Sequence, residues 1–268
     1  MRLQNKVIIV TGSTTGIGKA IARRCVQEGA RVVITGLEQE SGEALLAEIG
    51  QDKARLHIGD ISVAGAPQRL VDLAVGAFGK LDAVVNNAGM VVSSNIHTTD
   101  LTFFRKVMEV NAIAPFALIK AALPHLRKTR GCVLNIGSIN AYSGEPNMLP
   151  YSVSKGALMT LTRNLGDALH REDGVRVNQI NPGWVLTESE ALRKHAHGLS
   201  EDWYKDLPKE FAPSGRILLP DEIAAAAVYW LSDESGPVSG QVVDLEQFPV
   251  IGRNPPKDTP TISASQAD

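Results

Sequence analysis

A chain of 268 residues with 44% hydrophobic and 21% charged side chains has ordinary globular composition and is long enough to bury one large α/β core. Its net charge of −2 provides no field to draw nucleic acid or an anionic membrane, so neither is expected as a partner. No apolar run approaches the ~20 residues of a membrane span, and the N-terminus enters a strand pattern at Lys6 with no room for a leader; a cytoplasmic protein is expected.

The first predicted strand, Val7 to Val10, runs into Thr11-Gly12-Ser13-Thr14-Thr15-Gly16-Ile17-Gly18 and a helix over Gly16 to Gln27. A helix N-terminus offers unpaired N–H groups and partial positive charge, and glycines let a pyrophosphate approach the backbone. Gly12, Thr15, Gly16, Ile17 and Gly18 are therefore candidate cofactor-binding residues. The G-x-x-x-G-x-G spacing differs from the G-x-G-x-x-G of many dinucleotide folds, and it says little about reaction class. Arg31 to Thr35 is the second strand, followed by a helix over Gln39 to Ile49, and Ala54 to Ile58 is the third. Asp60-Ile61 ends the third strand, where a carboxylate can accept from an adenine amino group; Asp60 serves equally as the cap of the next helix, Ala64 to Phe78. The fourth strand, Asp82 to Asn86, continues into Asn87-Ala88-Gly89, whose amides need partners and whose small residues suit the crevice at a sheet edge.

One long helix is expected over Asp100 to Arg127, with Asn111 in its middle ordering a water or a backbone carbonyl. The fifth strand is Gly131 to Ile136 and leads to Ser138, whose hydroxyl either meets a reacting oxygen or caps a turn. A helix over Tyr151 to Arg171, a sixth strand over Val175 to Ile180, a helix over Asp221 to Ser232 and a last strand over Gln241 to Leu245 complete the series. Cys25 and Cys132, in apolar surroundings, are expected to be core thiols in a reducing compartment.

Unbroken Val/Ile strands alternating with helices predict a doubly wound α/β domain with a parallel sheet and helices on both faces. It should span residues 1–252, with an insertion at about 187–215 covering a ligand and a loosely ordered tail over 253–268.

Tyr151 and Lys155 stand four residues apart and so share one helix face. An ammonium beside a phenol should lower its pKa from about 10, fitting the tyrosine to pass a proton to a carbonyl oxygen or take one from an alcohol. His195-Ala196-His197 has no companion ligands at metal spacing, so no metal is expected. Trp184, Trp203 and Tyr204 either wall a substrate pocket or pack a lid.

Taken in order, T-G-x-x-x-G-I-G at 11–18, N-N-A-G at 86–89, Asn111, Ser138, Y-x-x-x-K at 151–155 and Asn181-Pro182-Gly183 resemble the short-chain dehydrogenase/reductase family over residues 6 to about 245. That resemblance implies a Rossmann-type seven-stranded parallel sheet in the order 3-2-1-4-5-6-7, a homotetramer or homodimer, and NAD(P) as cofactor. It implies hydride exchange between the nicotinamide and a small-molecule secondary alcohol/carbonyl pair. Tyr151 would be the acid/base, Lys155 would hold the nicotinamide ribose, Ser138 would orient the substrate oxygen and Asn111 would hold a relay water. Pro182, Gly183, Val185 and Thr187 would cradle the nicotinamide end.

Two departures from the family pattern bear on function. At the end of the second strand the usual Asp and Arg positions hold Gly36 and Leu37, and Glu38 follows late. With no cation there to meet a 2′-phosphate, NAD is favoured over NADP and Glu38 is the ribose candidate, unless it only solvates the next helix. After Asp244 the usual glycines are replaced by Leu245-Glu246-Gln247-Phe248, and the segment from Phe248 to Arg253 is expected to pack on a neighbouring subunit or the substrate loop. The absence of an arginine clamp in the sequence around the pocket points to a neutral polar substrate such as a sugar or polyol. Two competing readings are an epimerase-like enzyme, whose glycine loop and larger C-terminal substrate domain are not found here, and a non-catalytic nucleotide-binding scaffold or regulator, which would not need a tuned phenol.

Overall fold

Each predicted strand is paired in parallel with its neighbour, and the order across the sheet is 3-2-1-4-5-6-7. The structure is a computed structural model that describes residues 1–252 except 197 and 206. The expected tail over 253–268 and His197 lie outside the described residues. In chain order the elements are β1 (Val7–Val10), α1 (Gly16–Gln27), β2 (Arg31–Gly36), α2 (Gln39–Ile49), β3 (Ala54–Ile58), α3 (Ala66–Phe78) and β4 (Ala83–Asn86). Then come α4 (Leu101–Met108), a π turn (Glu109–Ile113), α5 (Ala114–Thr129), β5 (Cys132–Ile136), α6 (Asn140–Ser143) and α7 (Leu149–Asp173). β6 (Arg176–Pro182), α8 (Glu188–Ala196), α9 (Pro220–Leu231) and β7 (Val242–Leu245) follow.

Strand side chains alternate between the two faces. Ile8, Val10, Val32, Ile34 and Leu134 point to the layer of α1 and α9, where they meet Ile21, Cys25, Ile223 and Val228. Val7, Ile9, Val33, Val84 and Val133 point the other way, onto Leu70 and Val71 of α3 and Leu118, Ile119 and Leu126 of α5. The strand order reverses at β1, which has β2 on one side and β4 on the other. Crevices at such a reversal are where open α/β sheets take ligands.

The single helix expected over 100–127 is instead interrupted by the π turn at Glu109–Ile113. Pro115 has no N–H for the carbonyl of Asn111 four residues earlier, so the α-helical ladder has to break there. By length and composition alone the stretch Leu101–Thr129 would also pass for a membrane span, although Glu109 and Lys120 keep each apolar run within it short. Its apolar face is spent on the sheet through Leu118, Ile119, Ala122 and Leu126. The region expected to be an irregular insertion contains the helix α8. Cys25 and Cys132 are buried and unpaired, and burial pushes both thiols up and makes them poor nucleophiles.

Gly166 brings α7 against the turn before β7: a Cβ there would lie 2.3 Å from Gly240 Cα and 2.4 Å from Gly240 N. Both are backbone atoms that cannot swing aside. Gly166→Ala is expected to cost about 1–3 kcal/mol by overpacking, read as a fall of several degrees in Tm in a thermal melt.

Candidate active site

The turn after β1 is clamped to the end of β4. Asn87 Nδ2 donates to the carbonyls of Thr11 and Gly12, at 2.9 Å each, while Thr11 Oγ1 accepts from the N–H groups of Asn87 and Ala88 at 3.0 and 3.1 Å. Only glycine fits at two points. Gly12 has φ of +59°, and a Cβ there would sit 2.8 Å from Ala88 Cα; at Gly18 a Cβ would sit 2.2 Å from the Gly12 carbonyl oxygen. Gly16 opens α1, and its N–H donates to the carboxylate of Glu188 at 3.0 Å. A side-chain anion is therefore already drawn to this helix N-terminus, the chemistry by which a diphosphate would bind. Thr15 occupies the cap position and its side chain makes no cap bond, and Ile17 packs on the core layer beside α1.

Around this cradle, the structure distributes the other cofactor candidates. Glu38 does not solvate its own helix; its carboxylate accepts from Thr14 Oγ1 in the glycine loop at 2.5 Å. Asp60 accepts from Ser62 N and Oγ at 2.8 and 2.6 Å and pairs with Lys106 at 2.9 Å. These bonds, led by that of the Ser62 hydroxyl, hold its carboxyl at about 2. Ile61 packs on the layer of α3 and α5. At the end of β6 the Gly183 N–H donates to Leu245 O at 2.8 Å, Pro182 O accepts from Ile139 N at 3.2 Å, and Val185 is buried and bridged to Leu218. Thr187 Oγ1 accepts from Glu190 N at 3.1 Å at the start of α8. A Cβ on Gly16 would stand 3.3 Å from the Thr187 methyl, so this loop borders the cradle.

Ser138, Tyr151, Lys155 and Asn111 converge at the same sheet edge, and all four are buried. The Ser138 hydroxyl stands close enough to the Tyr151 phenol to pull its pKa down. Lys155 Nζ donates to Ile136 O at 2.8 Å and lies 5.7 Å from the centroid of the Tyr151 ring. Asn111 Oδ1 accepts from Met90 N at 2.7 Å, and its Nδ2 donates to Met90 O and Ser154 Oγ at 3.1 and 2.9 Å. Of the two partners expected for it, the backbone is the one it binds. Two of these groups border Gly89: a Cβ there would be 3.4 Å from Asn111 Oδ1 and 3.6 Å from Lys155 Nζ, in ordinary contact with both.

The expected lowering of the tyrosine pKa does not emerge. Burial pushes the Tyr151 phenol up, and Ser138 and Arg193 pull against it while Glu145 and Glu190 add to it. Burial also brings Lys155 down to about 8. Desolvation thus outweighs the attraction expected between the two groups, because the ammonium is turned to a carbonyl and lies over the ring.

Beneath the site runs a polar chain. Asn86 Nδ2 donates to Asn135 Oδ1 at 2.8 Å, Asn135 Nδ2 to Thr162 Oγ1 at 2.8 Å, and Thr162 Oγ1 to Gln179 Oε1 at 2.7 Å. Gln179 Nε2 donates to Asn181 Oδ1 at 2.7 Å, which also accepts from Ser138 N at 3.1 Å, and Asn181 Nδ2 donates to Asp244 Oδ1 at 3.0 Å. The amides that made Asn86 poor strand material are satisfied here, and the backbone of Ser138 is held by the same chain.

The sequence matches the model of a family described as Enoyl-(Acyl carrier protein) reductase over residues 12–246. It is 30% identical to a meso-2,3-butanediol dehydrogenase of Serratia marcescens over 96% of this chain and 99% of that one. It is 39% identical to an L-fucose dehydrogenase of Mus musculus over 87% and 84%, and 38% identical to glucose 1-dehydrogenase 2 of Bacillus subtilis over 91% and 94%. The chain belongs to the short-chain dehydrogenase/reductase family. As a member it is an NAD(P)-dependent oxidoreductase acting on a CH–OH/C=O pair.

In this short-chain dehydrogenase/reductase the structure gives partners to the aromatic residues of the insertion and to Glu246 and Gln247, and adds Glu190 and Arg193, which the sequence reading passed over. Trp184 and Trp203 stack at 5.2 Å, Tyr204 meets Trp203 edge-on at 5.8 Å, and Trp184 Nε1 donates to the buried Glu190 at 2.8 Å. Glu246, where the family has glycine, accepts from Trp184 N at 3.1 Å. Gln247 binds the base of the insertion through Ser214 and Arg216. Glu190 and Arg193, three apart on α8, carried a helical signal that the mixed composition of 187–215 obscured.

Proposed function

We propose that this oxidoreductase interconverts a neutral sugar or polyol, at a secondary carbon, with its ketone or lactone counterpart, and that it uses NAD in preference to NADP. The observation that carries the chemistry is the meeting of the Tyr151 phenol, the Ser138 hydroxyl and the Lys155 ammonium at one sheet edge. The Gly12–Gly18 cradle fits a dinucleotide, which supplies the hydride acceptor or donor when bound. Tyr151 passes the proton to or from the substrate oxygen, and Ser138 holds that oxygen by a second hydrogen bond. Lys155 commits one ammonium hydrogen to Ile136 O, leaving two for ribose hydroxyls. Asn111 Oδ1 and Lys155 Nζ both face Gly89, and a relay water held by Asn111 beside them belongs to this reading.

A neutral substrate agrees with Arg193 being neutralised by Glu190, and the relatives named for butanediol, fucose and glucose point the same way. Initial rates read at 340 nm with D-glucose, L-fucose, xylitol and 2,3-butanediol, each with NAD and with NADP, test this reading. Turnover confined to charged acids would overturn it. Glu38, held at the glycine loop, repels a 2′-phosphate and supports NAD. The pair Leu37→Arg with Glu38→Gln is expected to raise the NADP/NAD ratio of kcat/KM tenfold or more, measured with one substrate and both cofactors. Exposed Ile113 and Phe116 beside exposed Val153 of α7 support a homo-oligomer, and the buried free thiols accord with a cytoplasmic location.

A further inference from the structure

We infer that Glu190 sets the charge selectivity of the substrate cleft by keeping Arg193 of α8 neutralised, so that the cleft admits uncharged alcohols and refuses carboxylates. This rests on the reading of the substrate as neutral. Glu190 is 8% exposed, and both of its carboxylate oxygens are taken. Oε1 accepts from Trp184 Nε1 at 2.8 Å; Oε2 accepts from Arg193 Nε at 3.0 Å and Nη2 at 2.5 Å. The Trp184 indole so fixed stacks on Trp203, with the Lys194 ammonium 4.9 Å and 5.7 Å from the two ring centroids. The pair belongs to the segment that borders the site: Trp184 lies two residues past Pro182, whose carbonyl accepts from Ile139 N beside Ser138 at 3.2 Å, and Glu190 N donates to Thr187 Oγ1, at the edge of the glycine cradle. In keeping with that position, Arg193 pulls the Tyr151 pKa down and Glu190 pushes it up.

A guanidinium is the side chain best shaped to grip a carboxylate with two parallel hydrogen bonds. Here its Nε–Nη2 edge already grips one that belongs to the protein. An incoming carboxylate would have to displace Glu190 from that edge and would meet its negative charge. A hydroxyl group carries no such penalty and can stack its carbon framework against the indole.

Glu190→Gln tests the idea, since it removes the charge and keeps one acceptor oxygen, for either Trp184 or Arg193. The ratio of kcat/KM for 3-hydroxybutanoate over 2,3-butanediol, and for glucuronate over glucose, is expected to rise at least tenfold, through KM for the acid. Adding Arg193→Gln to the same chain should return the ratio to its starting value. Gluconate titrated against indole fluorescence should bind Glu190→Gln about tenfold more tightly than the unaltered protein, whether or not any probe is turned over. An unchanged ratio and unchanged gluconate affinity would overturn the role of Glu190 while leaving the neutral-substrate reading intact. An unaltered enzyme that already prefers the acids would overturn that reading itself. Circular dichroism of each variant separates these results from a failure to fold.

Discussion

Tyr151→Phe is expected to lower kcat by about 10²–10⁴, the usual worth of a positioned acid or base, while the dissociation constant for NADH stays within about threefold. The phenyl ring keeps the buried packing of the tyrosine. Stopped-flow turnover set beside a fluorescence titration of NADH separates chemistry from binding. Unchanged turnover in this variant would remove the tyrosine from the mechanism. The pH dependence follows from the same group. Oxidation needs the phenolate, and burial holds the phenol above its ordinary value, so kcat/KM for oxidation should climb with pH through the neutral range and past 9. Reduction needs the protonated phenol and should stay flat over that interval. A fall of the oxidation rate from pH 7 to 9 would contradict the sign.

The second large effect is expected from Gly18→Ala. Its Cβ would meet the Gly12 carbonyl oxygen at 2.2 Å and Asn87 Nδ2 at 2.4 Å. The Asn87 side chain is not free to move, because it holds the carbonyls of Thr11 and Gly12. Relief of the clash must push the β1 turn away from the end of β4 and deform the cradle. NADH affinity should fall at least 100-fold in a titration, and Tm should fall by several degrees because the clash is with backbone. A variant that binds NADH normally would show that the diphosphate is not seated here.

The sheet and the candidate site are legible for a common reason: each rests on local pattern. Val7 to Val10 and Gly131 to Ile136 are too apolar and too short to be anything but buried strands. The glycines of 11–18 answer to close approaches within a few residues of a strand end, and Tyr151 and Lys155 are adjacent through helical spacing alone. Asn111 was singled out for being ill-suited to a helix interior, but the π turn it occupies was missed, although Pro115 lies four residues on and withholds the N–H the ladder needs. Burial pushes the Tyr151 phenol up in the protein alone, which local spacing does not report.

The amino-acid sequence by itself determined the parallel α/β sheet, the glycine cradle and the candidate Tyr-Lys pair, because strand length, turn glycines and i,i+4 spacing act within a few residues. Tertiary structure alone decided that Lys155 turns to Ile136 O, that Asn86, Asn135, Thr162, Gln179, Asn181 and Asp244 form one polar chain, and that Glu190 joins Trp184 to Arg193. These contacts depend on the register of β4, β5, β6 and β7 and on where the insertion folds back. Burial then sets their electrostatics, through the desolvation of charges by parts of the chain far away in sequence.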